Sequence, residues 1–104
     1  MAKKAKPETI LTLNVNYPKG KGGTRMNAER YEVYRKAILK AVPRSRDGIL
    51  FSDLSAVVEA LLPEAARTRM GSVMWNVTTV KLDLEARGLI ARVPGSAPQR
   101  LRRA

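Results

Sequence analysis

The sequence predicts a small α+β domain with an extended N-terminal arm, three helices and a short antiparallel β-hairpin near its C-terminal end. Three observations predict this class. Apolar residues recur at three- and four-residue intervals in three stretches, as they do in amphipathic helices. Residues 9–16 alternate apolar and polar side chains, which is typical of a strand. Residues 94–98, Pro-Gly-Ser-Ala-Pro, are a turn signal between two short runs that can pair.

Residues 1–25 predict a basic arm that contains a short strand. The alternation places Leu11, Leu13 and Val15 on one side of that strand, and we expect this side to lie on apolar surface. The loop Pro18–Gly23 is basic, but it lacks the glycine, lysine and serine or threonine spacing of a phosphate-binding loop. The arm therefore either follows a nucleic-acid backbone or is a solvated linker.

Residues 26–104 predict the folded domain, whose first helix runs from about Asn27 to Val42. Asn27 can cap the helix, and Pro43 stands just beyond its end. Four residues form the stripe that we expect to be buried: Tyr31, Tyr34, Ile38 and Ala41.

A second helix follows a turn at Gly48 and a strand stub at Ile49–Phe51. We expect Ser52 to cap this helix and Pro63 to end it, because proline cannot continue a helical hydrogen-bond ladder. Its apolar face has five members: Leu54, Val57, Val58, Leu61 and Leu62. The connection after Pro63 is long enough for one further helical turn at residues 64–67.

The third helix is the element around which the chain is organised. Its core stripe is predicted to be Val73, Val77, Val80 and Leu84. Its opposite face, which we expect to be exposed, carries Ser72, Asn76, Thr79 and Asp83. Either Ser72 or Thr68 caps its start, and Gly88 can adopt the left-handed conformation that ends a helix.

The run Leu84–Arg92, Leu-Glu-Ala-Arg-Gly-Leu-Ile-Ala-Arg, resembles the end of the recognition helix and the first wing strand of winged helix-turn-helix proteins, especially the bacterial MarR-like regulators. Two preceding helices and a basic hairpin, with strands at 89–93 and 99–102, extend the resemblance to about residues 26–103. It implies a three-helix winged helix-turn-helix with a small antiparallel β-wing. It also implies a bacterial transcription regulator whose third helix enters DNA.

The resemblance does not cover every part of a MarR-like regulator. The chain has no room for the long flanking helices that build the dimer and the ligand pocket of MarR-like regulators, so ligand sensing is not implied.

More loosely, the Leu-Thr-Leu-Asn opening and the run from Trp75 to Gly88 resemble a family of small, uncharacterised bacterial proteins with a predicted winged helix. That second resemblance implies no known activity.

The charge predicts a polyanionic partner. Twenty basic and nine acidic residues leave a net charge of +11. Residues 1–26 carry six basic and one acidic side chain, and residues 64–104 carry eight and three, so the excess lies in the arm and in the third helix with its wing. Double-stranded DNA is the first interpretation and RNA a weaker one. The alternative is a basic protein without such a partner.

Composition also predicts which classes of function the protein lacks. Cysteine and histidine are absent, which removes thiolate nucleophiles, imidazole bases and the usual zinc ligands. We therefore predict that the protein is not an enzyme and uses no metal or cofactor. The lack of cysteine also predicts a cytoplasmic location. Since no apolar run approaches the roughly 20 residues that cross a bilayer, we predict no membrane association.

The residues that we expect to contact DNA lie on the third helix, at its start and in the wing: Arg67, Arg69, Ser72, Asn76, Thr79, Arg92, Arg100, Arg102 and Arg103. Asparagine can pair bidentately with adenine, serine and threonine can meet bases or phosphates, and arginines suit phosphates. Asp83 on the same face would either accept from a cytosine amino group or repel phosphate.

Trp75 and Leu82 form a second patch, about 140–160° around the helix from the core stripe at about 100° per residue. Trp75 either packs under the arm or against the second helix, or it anchors a protein partner or a homodimer. The alternative function is therefore a winged-helix protein–protein interaction module that does not bind DNA.

Overall fold

The computed structural model describes residues 8–17, 22–69 and 71–104. The lysine-rich residues 1–7 and the loop residues 18–21, for which the sequence predicts a basic tail and a basic loop, lie outside the described residues.

The described residues form four helices and two small antiparallel sheets, so the α+β class is confirmed. The expected number of three helices is wrong, because the connection after Pro63 forms a helix of its own. The helices are α1 (Ala28–Ala41), α2 (Phe51–Leu61), α3 (Glu64–Arg69) and α4 (Val73–Ala86). The strands are β1 (Thr9–Leu11), β2 (Arg25–Asn27), β3 (Ile49–Leu50), β4 (Ile90–Arg92) and β5 (Arg100–Arg103).

The larger sheet joins the stub after α1 to the C-terminal hairpin. Its strand order is β3–β5–β4, and both pairings are antiparallel. Leu101 lies opposite both Ile49 and Arg92, so β5 is the central strand. The predicted hairpin is confirmed. In chain order, α2, α3 and α4 lie between β3 and β4 of this sheet.

The smaller sheet pairs β1 with β2, and its side-chain pattern reverses the expectation for the arm. Leu11 and Val15 are 45% and 40% exposed, whereas Thr12 is 1% exposed. The Thr12 hydroxyl donates to the Thr24 carbonyl and accepts from the Thr24 N–H, at 2.9 and 3.0 Å. Because these bonds satisfy its hydroxyl, the threonine can be buried. The expectation that this side lies on apolar surface is therefore wrong for Leu11 and Val15, whereas Leu13 is half-buried.

Local capping explains where the helices begin. The Asn27 side chain accepts from the Arg30 N–H at 2.9 Å, as predicted for the start of α1. The Ser72 hydroxyl accepts from the Trp75 N–H at 3.1 Å and caps α4. The expectation that Ser52 caps α2 is wrong, because α2 already begins at Phe51 with no side-chain cap.

The core fills the space between the helices and the larger sheet. Its fully buried members come from α1, α2, α4, β4 and β5: Tyr34, Ile38, Leu54, Val58, Val77, Val80, Leu84, Ile90 and Leu101. Val57 and Leu61, which the sequence predicts to be buried, are each 38% exposed, because only one side of α2 packs against the core. Within the described residues, no helix combines the length and the apolar character that crossing a membrane requires.

Gly48 sets the turn that enters β3. Its φ is +65°, a conformation that costs most residues about 1–2 kcal/mol. A Cβ added there would lie 2.2 Å from the Leu101 carbonyl oxygen on β5. The turn and the central strand can approach this closely only because residue 48 has no side chain.

We expect Gly48→Ala to lower the free energy of unfolding by about 3 kcal/mol, since backbone strain and a backbone clash add together. Gly95→Ala is the matched control, because Gly95 has a φ of +72° and open space where its Cβ would lie. The control should cost only the conformational penalty of about 1–2 kcal/mol. Urea unfolding measures both, and equal losses of stability would show that the close approach to Leu101 imposes no constraint.

Candidate nucleic-acid interface

Five residues of α4 form one continuous band, and we call them the outward strip: Trp75, Thr78, Thr79, Leu82 and Ala86. At about 100° per residue they fall within roughly 100° of arc, opposite the buried valines. Trp75 and Ala86 are exposed, and the other three are half-buried. The strip, with Met74 at its margin 57% exposed, is the surface that α4 offers to a partner.

The charged side chains of α4 all point away from this strip. Lys81 and Asp83 are 3% and 0% exposed, and the Glu85 side chain is 4% exposed. Lys81 lies 2.9 Å from Glu85 and 4.6 Å from the centroid of the Phe51 ring. Burial lowers the pKa of Lys81, and the Glu85 carboxylate opposes that effect. Since all 14 residues of α4 are described, the outward strip carries no charge.

Asp83 connects three parts of the chain. Its carboxylate accepts from the Leu13 N–H at 2.8 Å, from the Tyr31 hydroxyl and from Arg87 Nε at 2.8 Å. Burial, with the hydrogen bond to Asp83, raises the pKa of Tyr31 to about 12. The expectation that Asp83 is exposed is wrong, because the arm and α1 cover the flank of α4 on which it lies.

Asn76 lies on the same flank and is 1% exposed. Its Nδ2 donates to the Ser72 carbonyl at 2.9 Å, and its side chain adjoins the Tyr34 hydroxyl. The expectation that Asn76 lies on an exposed face of the helix is therefore wrong. Thr79 lies on the outward strip as predicted, and Ser72 is exposed although its hydroxyl caps α4.

Strand alternation separates the four wing arginines into two pairs. Arg103 lies on the same side of β5 as buried Leu101, and its Nε donates to the Leu39 carbonyl near the end of α1 at 2.6 Å. Arg92 also turns to the inner side, where it pairs with Glu85 and donates to Asn16 at 3.2 Å. Arg103 and Arg92 therefore both have partners within the protein, although the Arg92 side chain remains 40% exposed.

Arg100 and Arg102 lie on the outer face of the sheet, and we call them the outer wing pair. Both are half-buried. Arg100 donates to the Asp47 carbonyl at 3.4 Å, and Arg102 Nε has no hydrogen-bond partner among the described residues. Neither forms an ion pair with a described acidic residue, so their charge is available to a partner.

The start of α4 has one cation that sequence reasoning missed. The Arg30 guanidinium of α1 lies 5.7 Å from the centroid of the Trp75 ring, within cation–π range. Trp75 is 45% exposed, so it is not part of the buried core, and its role as a partner surface stays a prediction. Arg67 is exposed on α3, whereas the side chain of Arg69 is not among those described.

Removal of the Asp83 carboxylate should destabilise the fold. We expect Asp83→Ala to lower the free energy of unfolding by about 3 kcal/mol, because it leaves the Leu13 N–H and the Tyr31 hydroxyl without their acceptor. Asp53→Ala, an exposed carboxylate in the first turn of α2, should cost at most about 1 kcal/mol. Urea unfolding compares the two, and similar decreases would contradict the role of Asp83.

Alkaline pH should weaken the interaction between Tyr31 and Asp83. Tyr31 has a pKa of about 12 in the folded protein against its ordinary value of 10.0, so its contribution to stability is complete below pH 10.0 and disappears towards pH 12. The difference corresponds to about 2–3 kcal/mol. We expect the stability advantage of the wild type over Tyr31→Phe to shrink across this window. Unfolding curves that stay parallel from about pH 8 to about pH 12 would contradict this prediction.

Comparisons with known proteins identify a family but no activity. No curated protein and no solved structure shows a significant match to the chain. The described residues contain no group of three or more acidic side chains that could hold a metal ion. The sequence does match a family of unknown function, DUF6958, from residue 9 to residue 101, which is most of its length. The chain therefore belongs to the DUF6958 family.

Proposed function

We propose that this protein is a DNA-binding winged-helix protein that acts as a small transcriptional regulator or architectural factor. The topology carries the proposal. A stub strand after the first helix pairs with the second strand of a C-terminal hairpin, and α4 leads directly into that hairpin. This connectivity suits a winged helix in which α4 is the recognition helix and β4–β5 is the wing.

The charge supports the same proposal. Asp83 and Glu85, two of the three acidic residues after position 63, are neutralised inside the protein. The outer wing pair, Arg100 and Arg102, keeps its charge at the surface of the wing. In the proposed complex α4 enters the major groove with its outward strip, and the outer wing pair contacts phosphates beside it.

A salt series on duplex DNA tests this proposal. The double variant Arg100→Ala, Arg102→Ala should bind random duplex more weakly, and its log–log salt slope should be shallower by roughly 0.9 for each phosphate that the wild-type arginines neutralise. The matched control is Lys36→Ala, Lys40→Ala, which removes the same charge from exposed positions on α1. Fluorescence anisotropy measures both slopes.

Two results would contradict the proposal. Equal slopes for the two double variants would show that the outer wing pair does not contact phosphates. Failure of the wild-type protein to bind any duplex at low salt would remove DNA binding itself.

A protein–protein interaction module is the second candidate, and the outward strip is the observation that favours it. Interface cores are depleted of charged residues and enriched in tryptophan. The strip is uncharged and carries Trp75 and Leu82 on the same face of α4. This candidate becomes the better one if duplex DNA is not bound.

A further inference from the structure

We propose that the outward strip reads the methyl groups of thymine in the major groove, so that the protein prefers A·T pairs where α4 contacts bases. This inference rests on the DNA-binding function proposed above and adds the base class that is read. It concerns the chemistry of the strip rather than the charge of the wing.

The first step is elimination. Arginine and lysine read guanine, asparagine and glutamine read adenine, and carboxylates read cytosine. Four residues of α4 have such chemistry, and all four are buried at the flanks of the helix: Asn76, Lys81, Asp83 and Glu85. Each already has a partner within the protein. No residue of α4 can therefore make a bidentate contact with a base edge.

The second step is what the strip does present. Thr78 and Thr79 precede Leu82 by four and three residues, so their methyl groups and the leucine side chain are neighbours on the helix surface. Thymine is the base that carries a methyl group in the major groove, and threonine and alanine side chains contact it favourably. The strip ends with Ala86, which extends the same apolar surface.

The third step is charge complementarity at the margin of the strip. Arg30 lies against Trp75 at the start of α4, so a cation stands beside an uncharged helix face. In a major groove, the uncharged base edges lie between two rows of negatively charged phosphates. When the methyl groups of the strip contact bases, Arg30 is therefore placed to contact a phosphate.

Replacement of thymine by uracil tests the proposal, because uracil pairs identically and lacks only the methyl group. The probes are two duplexes of about 20 A·T or A·U pairs with the same purine sequence. We expect wild-type affinity for the uracil duplex to be about three- to fourfold weaker for each methyl group that the strip buries. Because every thymine is replaced, the position of the contact need not be known.

Variants of the strip identify the side chains responsible. Thr79→Ser removes a methyl group and keeps the hydroxyl, so the preference for thymine should fall, whereas Thr79→Val keeps a methyl group and should preserve it. Leu82→Ala should reduce the preference further. Leu61→Ala is the control for removal of an apolar side chain, since Leu61 is 38% exposed in a pocket between α1 and α2. Thr79→Ser, the milder change, keeps the test valid if Leu82→Ala does not fold.

The outcomes separate this inference from the proposed function. Equal wild-type affinity for the two duplexes, with normal salt dependence, would overturn methyl readout and leave DNA binding intact. A preference for thymine that survives both Thr79→Ser and Leu82→Ala would also overturn it, because the strip would not be its source. Absence of duplex binding at low salt would overturn both proposals and favour the protein partner.

Discussion

The orientation of α4 depends on one buried carboxylate. Removing a carboxylate from water is unfavourable unless hydrogen bonds and an opposite charge compensate it. Asp83 obtains both, because Leu13 and Tyr31 donate to it and Arg87 supplies the charge. The donors belong to the arm, to α1 and to the end of α4 itself. Together these contacts hold the Asp83 flank of α4 against the arm and α1, and the outward strip lies away from that flank.

Glu85 does the same on the other flank of α4. It pairs with Lys81 on its own helix and with Arg92 on β4, so it joins the helix to the hairpin. The two carboxylates are two residues apart in sequence and lie on opposite sides of the core stripe, at about 100° per residue. Leu13 of the arm is therefore attached to α4 at Asp83 and the wing is attached at Glu85, while Arg92 also joins the wing to Asn16 of the arm. Because these contacts use the charges of the helix internally, the remaining face is left uncharged.

Local signals in the sequence are sufficient to predict most of the helices and strands. Capping by Asn27 and the left-handed Gly88, with a φ of +78°, depend on neighbouring residues alone, and both are confirmed. The burial of Asn76 and Asp83 depends on a distant segment. Helical periodicity shows which residues lie away from the apolar core, but not whether another part of the chain covers them. The strand that pairs with the arm escapes prediction for a similar reason, since Arg25–Asn27 has no strand pattern of its own.

The wing shows where sequence reasoning can go further. Side chains alternate along a strand, so once Leu101 is assigned to the core, Arg103 must point inward and Arg100 and Arg102 outward. Of the four wing arginines, Arg92 and Arg103 therefore bind partners within the protein, and Arg100 and Arg102 keep their charge available to a partner. This division separates two physical roles in the proposed complex. As proposed, the outer wing pair would contribute affinity that salt screens, and the outward strip would contribute discrimination through methyl contacts on which salt has little effect, so the two could be varied independently.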